Sequence, residues 1–122
     1  MSRIEEFKRK RLAQNERVLE TSNLGIKRFF NLDTAAYRDG ALDERTKELL
    51  GLVSSMVLRC NDCIDYHLIR CVEMGWSDEE LEDAMNVALV VGGSIVIPHL
   101  RHAFESLEQL RELDAQDLSE DS

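Results

Sequence analysis

Residues 60 to 67 read CNDCIDYH, two cysteines three positions apart and a histidine four further on, in a chain of 122 residues that holds three of each. The reading of this stretch decides whether one helix or two cross the middle of the chain. Apolar residues keep helical spacing from about residue 43 through 74. Asn61 and Asp62, however, are cap-type residues, whose short polar side chains compete with the backbone inside a helix and satisfy free N–H groups at its start. A new helix is therefore expected at 61 or 62. At roughly 100° per residue, Cys60, Cys63 and His67 then project within a narrow arc, with His67 one turn after Cys63. With Asn61 as the cap, Cys63 lies in the first turn, where free N–H groups and the positive end of the helix dipole stabilise a thiolate. His67 adds a proton acceptor or a cationic partner, while Asp62 opposes ionisation of the neighbouring thiol.

Upstream, Leu49, Leu50, Val53, Met56 and Val57 form a helical stripe from Asp43, a capping residue, to about Arg59. Glu48 sits at the edge of that stripe, twelve residues before Cys60. If the two helices pack antiparallel, its carboxylate can bond His67 and fix the tautomer. Downstream, Ile64, Leu68, Cys71 and Val72 carry the second helix to Met74-Gly75. Ser77 with Glu80 forms a capping box for the next helix, with Leu81, Ala84, Met85, Ala88 and Leu89 on one face. Val87, Val90 and Val91 fill its other side, so its second half is expected to be buried all round. Gly92-Gly93 ends it, and a last helix begins near Pro98 with Leu100, Ala103, Phe104, Leu107 and Leu110 inward.

Toward the N-terminus, residues 3–20 favour helix with a ragged apolar face (Ile4, Phe7, Leu12, Val18, Leu19) suited to a partner subunit. A short amphipathic stretch at 22–31 is followed by a turn-rich link ending at Asp39-Gly40. No strand pattern or repeat is present. The expected fold is all-α, an antiparallel bundle of about six helices in one domain over residues 1–113. Residues 114–122 hold four acids and no base and are expected to be a disordered acidic tail.

The composition excludes several functions. A net charge of −9 argues against nucleic acid, because that binding draws on lysine and arginine. The basic cluster Lys8 to Arg11 lies among glutamates and reads as a solvated helix face. No apolar run reaches membrane-spanning length and MSRIEEFKRKR has no signal-peptide core, so a cytoplasmic protein with no membrane partner is expected. In that reducing compartment a close cysteine pair reads as catalytic or metal-binding. Structural zinc needs a fourth ligand, and no second C-x-x-C or H-x-H supplies it. Cys71 is about 16 Å along the helix from Cys60 at about 1.5 Å per residue, and reads as core. Neither metal nor cofactor is expected. His99 reads as a core or interface histidine, His102 as solvated, and Tyr66 and Trp76 as packing residues.

The motifs GALDERTKELL at 40–50, C-N-D-C at 60–63 with His67, Gly75, and SDEEL at 77–81 together resemble the carboxymuconolactone decarboxylase family, in its alkylhydroperoxidase D-like (AhpD-like) branch. The resemblance covers about residues 26 to 108. It implies an all-helical fold assembled as trimers or hexamers, and hydroperoxide reduction by a cysteine pair with a glutamate and a histidine relaying protons. By position, Cys63 would form the sulfenic acid, Cys60 would be proton donor and resolving thiol, and His67 and Glu48 would form the relay. The partners implied are a hydroperoxide and an external dithiol, such as a lipoyl-bearing protein. Asp62 departs from the histidine or aromatic residue that peroxidase members often carry there. A second reading therefore stands beside the first, a redox-sensing or structural oligomer whose dithiol oxidises without turnover. The decarboxylase branch typically lacks the cysteine pair, so lactone decarboxylation is not expected.

Overall fold

The computed structural model describes residues 1–121, the last four as backbone only. Six α-helices follow one another: α1 Arg3–Leu19, α2 Leu24–Ala36, α3 Glu44–Val57, α4 Asn61–Glu73, α5 Asp78–Gly92 and α6 Ile97–Asp121, with a 3₁₀ turn at Ser94–Val96 before the last. There is no strand among the described residues. The expected all-α bundle is the fold observed.

Local chemistry sets most of the boundaries. Asp43 accepts from Thr46 N at 2.7 Å to open α3, and Ser77 with Glu80 forms the capping box of α5. Gly75, at φ 84°, ends α4 in a Schellman turn, with Gly75 N donating to Val72 O and Trp76 N to Cys71 O. The same turn closes α3, with Arg59 at φ 60° in the glycine-like position, Arg59 N on Met56 O and Cys60 N on Ser55 O. That tight link delivers Cys60 directly to the start of α4. The N-cap of α4 is Cys60, whose sulfur accepts from Cys63 N at 3.3 Å; Asn61, expected to cap, is the first helical residue. Its side chain is taken by His99, 2.7 Å away.

Consecutive helices from α3 to α6 alternate in direction. Arg45 of α3 bonds Met74 O at the end of α4, while Glu48 and Gly51, about one and two turns further along α3, both meet His67, about two turns earlier along α4. Asp65 of α4 meets His102 and Ser106 of α6. The core is one cluster: Leu52 and Met56 of α3, Ile64, Leu68 and Cys71 of α4, Leu81, Met85 and Ala88 of α5, Ala103, Leu107 and Leu110 of α6, and Ile4 of α1. No described helix is long and apolar enough to cross a membrane.

Besides the cap of α4, the structure departs from expectation at four places. α2 runs on to Ala36, because no glycine or proline interrupts it after Gly25. α6 continues through residues 114–121, where a disordered tail was expected; extending a packed helix needs no new nucleus, and Arg111 lies 3.8 Å from Asp114 one turn on. Ser122 lies outside the described residues. In α5, Val87, Val90 and Val91 are exposed, Val90 by 76%. They form their own stripe, turned away from the face that buries Leu81, Met85 and Ala88. His102 is not solvated: its Nε2 lies 3.0 Å from Asp65, a carboxylate buried in the bundle and also bonded by Arg3 and Ser106. A buried charge requires such partners, and His102 and Ser106 on the polar stripe of α6 supply them together with Arg3 at the start of α1.

Candidate active site

α3 and α4 face each other through a polar seam inside an otherwise apolar contact. Glu48, on the core side of α3, is 1% exposed, and His67, two turns into α4, is 8% exposed. Their side chains meet, Nδ1 of His67 lying 2.8 Å from a Glu48 oxygen. Carboxylate oxygens only accept, so Nδ1 carries the proton, and in the neutral ring the lone pair is on Nε2. The second Glu48 oxygen faces Arg70 Nε at 3.7 Å, and Arg70 is held in turn by Glu44 at 2.8 Å. The buried carboxylate thus has a cation and a donor on opposite sides.

Three further residues define the seat of the imidazole. Gly51 of α3 lies against the ring, where a Cβ would come within 2.6 Å of His67 Cε1. The Tyr37 hydroxyl, just past the end of α2, is 3.4 Å from Nε2. Tyr66 packs edge-on at 5.0 Å between centroids. Of these, Gly51 had a readable signal, since a lone glycine inside a helical pattern costs about 1 kcal/mol relative to alanine and wants a packing reason. Tyr37 had none, being thirty residues from its partner in a different helix.

The two cysteines stand at the N-terminus of α4 in disulfide contact, with Cα atoms 5.3 Å apart. Cys63 is the third residue of the helix and is exposed; Cys60 is partly covered. Cys63 and His67 line one cleft of about 460 Å³ between α1, α2 and α4, closed on the far side by Phe7, Lys10 and Arg11. Among the described residues no hydrogen bond joins His67 to either sulfur; they share the cleft wall. Lys10 and Arg11, read from sequence as a solvated face, line this cleft, and the Arg11 guanidinium stacks 4.1 Å from the Tyr66 ring. Tyr66 is therefore part of the cleft as well as packing. Trp76 is packing: its Nε1 donates to Arg45 O and its ring lies under the Arg45 guanidinium.

Cys71 lies one turn after His67, fully buried. Burial, and then the charge of Glu48, push its thiol up to about 12, so it remains a neutral core residue. Among the described residues no group of three or more histidine, cysteine or acidic side chains is placed to hold a metal ion. A larger groove of about 910 Å³ along α6, floored by Leu100, Phe104 and Leu107, contains none of this chemistry. The arrangement can cycle between dithiol and disulfide, with a buried acid–base pair one turn away.

Comparison with known proteins finds the same fold in solved structures. Two crystal structures of one Thermotoga maritima protein, a carboxymuconolactone decarboxylase family member suggested to take part in an antioxidative response, are similar to this chain. The first is 59% identical with a TM-score of 0.87, covering 92% of this chain and 95% of that one; the second is 60% identical with a TM-score of 0.88, covering 91% and 97%. A family protein from Legionella pneumophila is 26% identical with a TM-score of 0.81, covering 89% of this chain and 97% of that one. Uncharacterized protein 4 of the cox locus of Paracoccus denitrificans is 30% identical over 94 residues, 75% of this chain and 85% of that protein. Residues 26–106 match the carboxymuconolactone decarboxylase family as a whole. By sequence and by fold, the chain belongs to the carboxymuconolactone decarboxylase family.

Proposed function

We propose that the protein is a thiol-dependent peroxidase that reduces hydroperoxides through Cys60 and Cys63. The observation that carries this reading is the cysteine pair in disulfide contact at a helix N-terminus, with Cys63 open to a cleft that His67 also lines. The reduced Cys63 gives its proton to His67, and its thiolate attacks the terminal peroxide oxygen. The O–O bond breaks, Cys63 becomes a sulfenic acid, and the departing alkoxide takes the proton from His67 as an alcohol. Cys60 then attacks the Cys63 sulfur; the S–O bond breaks, and the hydroxide leaves as water with the Cys60 proton. An external dithiol returns two electrons and two protons by exchange through a mixed disulfide. Glu48 holds the proton on Nδ1, which keeps Nε2 as the accepting nitrogen.

The antioxidative role suggested for the Thermotoga relative supports the reading. The reading includes a cytoplasmic setting, in which the dithiol would be kept reduced between turnovers. A second reading is favoured by Asp62, whose carboxylate lines the cleft beside Cys63 and disfavours its thiolate: the protein is then a redox sensor or structural oligomer without turnover.

Mass spectrometry of thiol-labelled protein, before and after one equivalent of hydroperoxide, separates the readings when paired with peroxide consumption in dithiothreitol or a lipoyl dithiol. The peroxidase forms one 60–63 disulfide per chain and consumes peroxide continuously. Disulfide formation without sustained consumption establishes the sensor. Cysteines that stay reduced overturn both.

A further inference from the structure

Glu48 accounts for only one nitrogen of His67. The group facing the other, Nε2, is the Tyr37 hydroxyl at 3.4 Å, with the two rings 5.3 Å apart. Burial, and then the charge of Glu48, push the Tyr37 phenol above its ordinary value, so near neutrality it has a proton to donate. A hydroxyl is both donor and acceptor, and a rotation about one C–O bond exchanges the roles.

We infer that Tyr37 is a positioning residue for His67, its hydroxyl donating to Nε2 of the resting neutral ring, turning off that lone pair as the Cys63 proton arrives, and accepting from Nε2–H of the imidazolium, so that the base keeps one orientation in both protonation states. The inference rests on the proton-accepting role given to His67 above. The charged groups around the ring cannot serve both states. Glu48 only accepts, and on Nδ1; Arg70 only donates, and toward Glu48. Across the cleft stand the cations Lys10 and Arg11 of α1 and the anions Asp33 of α2 and Asp62 of α4. On the Tyr37 side, Lys47 is tied to the carbonyls of Ala36 and Arg38. Tyr66 presents its ring edge to the imidazole.

Without the Tyr37 hydroxyl, the imidazolium loses the side-chain acceptor that the fold places at Nε2, at a site where His67 is 8% exposed. Leaving a charged donor unsatisfied costs more than leaving a neutral ring without a donor, so the imidazolium is the form disfavoured. A Cys63 thiolate that depends on transferring its proton to His67 becomes scarcer near neutral pH.

The test is alkylation of reduced wild-type and Tyr37→Phe protein by iodoacetamide, from about pH 6 to about pH 10.5, with Cys63 modification followed by mass spectrometry. That range brackets the ordinary thiol. Phenylalanine keeps the ring that packs on His67 and removes one oxygen. Tyr37→Phe is expected to react about three- to tenfold more slowly near pH 7 and at the wild-type rate at the alkaline end, where thiols ionise without help. Superimposable profiles overturn the inference, because they leave Tyr37 a packing role only. A loss of equal size at every pH also overturns it, because that marks a disturbed fold. Alkylation consumes no peroxide, so a protein that fails the hydroperoxide test above still reports on Tyr37.

Discussion

Cys63 and Cys60 are chemically alike and differ in where α4 begins. Cys63 is the third helical residue, its side chain exposed at the cleft and its backbone N–H donating to the Cys60 sulfur; Cys60 is the cap, outside the helix and partly covered. The free N–H groups and the dipole of the first turn act on a thiolate at Cys63, and the histidine one turn on is on the same cleft. In many C-x-x-C pairs the first cysteine attacks; here the second is expected to. Cys63→Ser should abolish hydroperoxide consumption, whereas Cys60→Ser should form one sulfenic acid per chain at Cys63 and stall. Dimedone trapping checks the assignment, and an adduct on Cys60 in the Cys63→Ser protein, with none on Cys63 in Cys60→Ser, reverses it. Cys71→Ser should leave turnover intact and lower stability, since burial keeps that thiol neutral and packed.

At the scale of the element, the α3–α4 contact is built around a residue that is missing a side chain. Within α3, alanine at position 51 would favour the helix by about 0.5–1 kcal/mol over glycine. The imidazole of His67 occupies the place its Cβ would take, at 2.6 Å from Cε1 and 2.7 Å from Nδ1. The ring cannot retreat without giving up Glu48. Gly51→Ala is therefore expected to destabilise the protein by about 1–3 kcal/mol, the usual cost of overpacking, despite its better helix propensity. Urea unfolding measures this, and a gain in stability would show that the ring moves freely. The alkylation profile of Cys63 should change in the same variant, because the displaced ring takes the proton acceptor with it.

For the molecule as a whole, the surface is the unfinished part. α2 has no buried residue and exposes Leu24, Phe29 and Leu32, and α5 exposes Val87, Val90 and Val91. Apolar stripes on two separate helices make more patch than a stable monomer ordinarily leaves in water. Assembly of at least three subunits is expected, a trimer or a hexamer, with light scattering at micromolar concentration as the measurement. A mass equal to one chain would refute it. Val90→Asp, which places a charge in the middle of the valine stripe, should lower the assembled mass while leaving helix content unchanged.

Much of this architecture is written in short stretches of chain. Asp43, Ser77 with Glu80, and Gly75 mark helix ends because capping is an interaction between near neighbours, and the stripes of α3, α4 and α5 follow from a fixed rotation per residue. Glu48 and His67 were also legible, since a spacing along two antiparallel helices translates into a distance between them. Periodicity gives a side chain's direction about its own helix axis and does not say what fills the space it points to. On that account His102 read as solvated although Asp65, Arg3 and Ser106 surround it, and the α5 valines read as buried although the described chain places nothing over them. Tyr37 could be assigned to His67 only once α2 was placed beside the α3–α4 seam. The sequence by itself determined the helices, their order and the residues of the dithiol motif, because those depend on local chemistry. The tertiary structure decided which nitrogen faces which oxygen, because that depends on how whole helices are rotated and packed against one another.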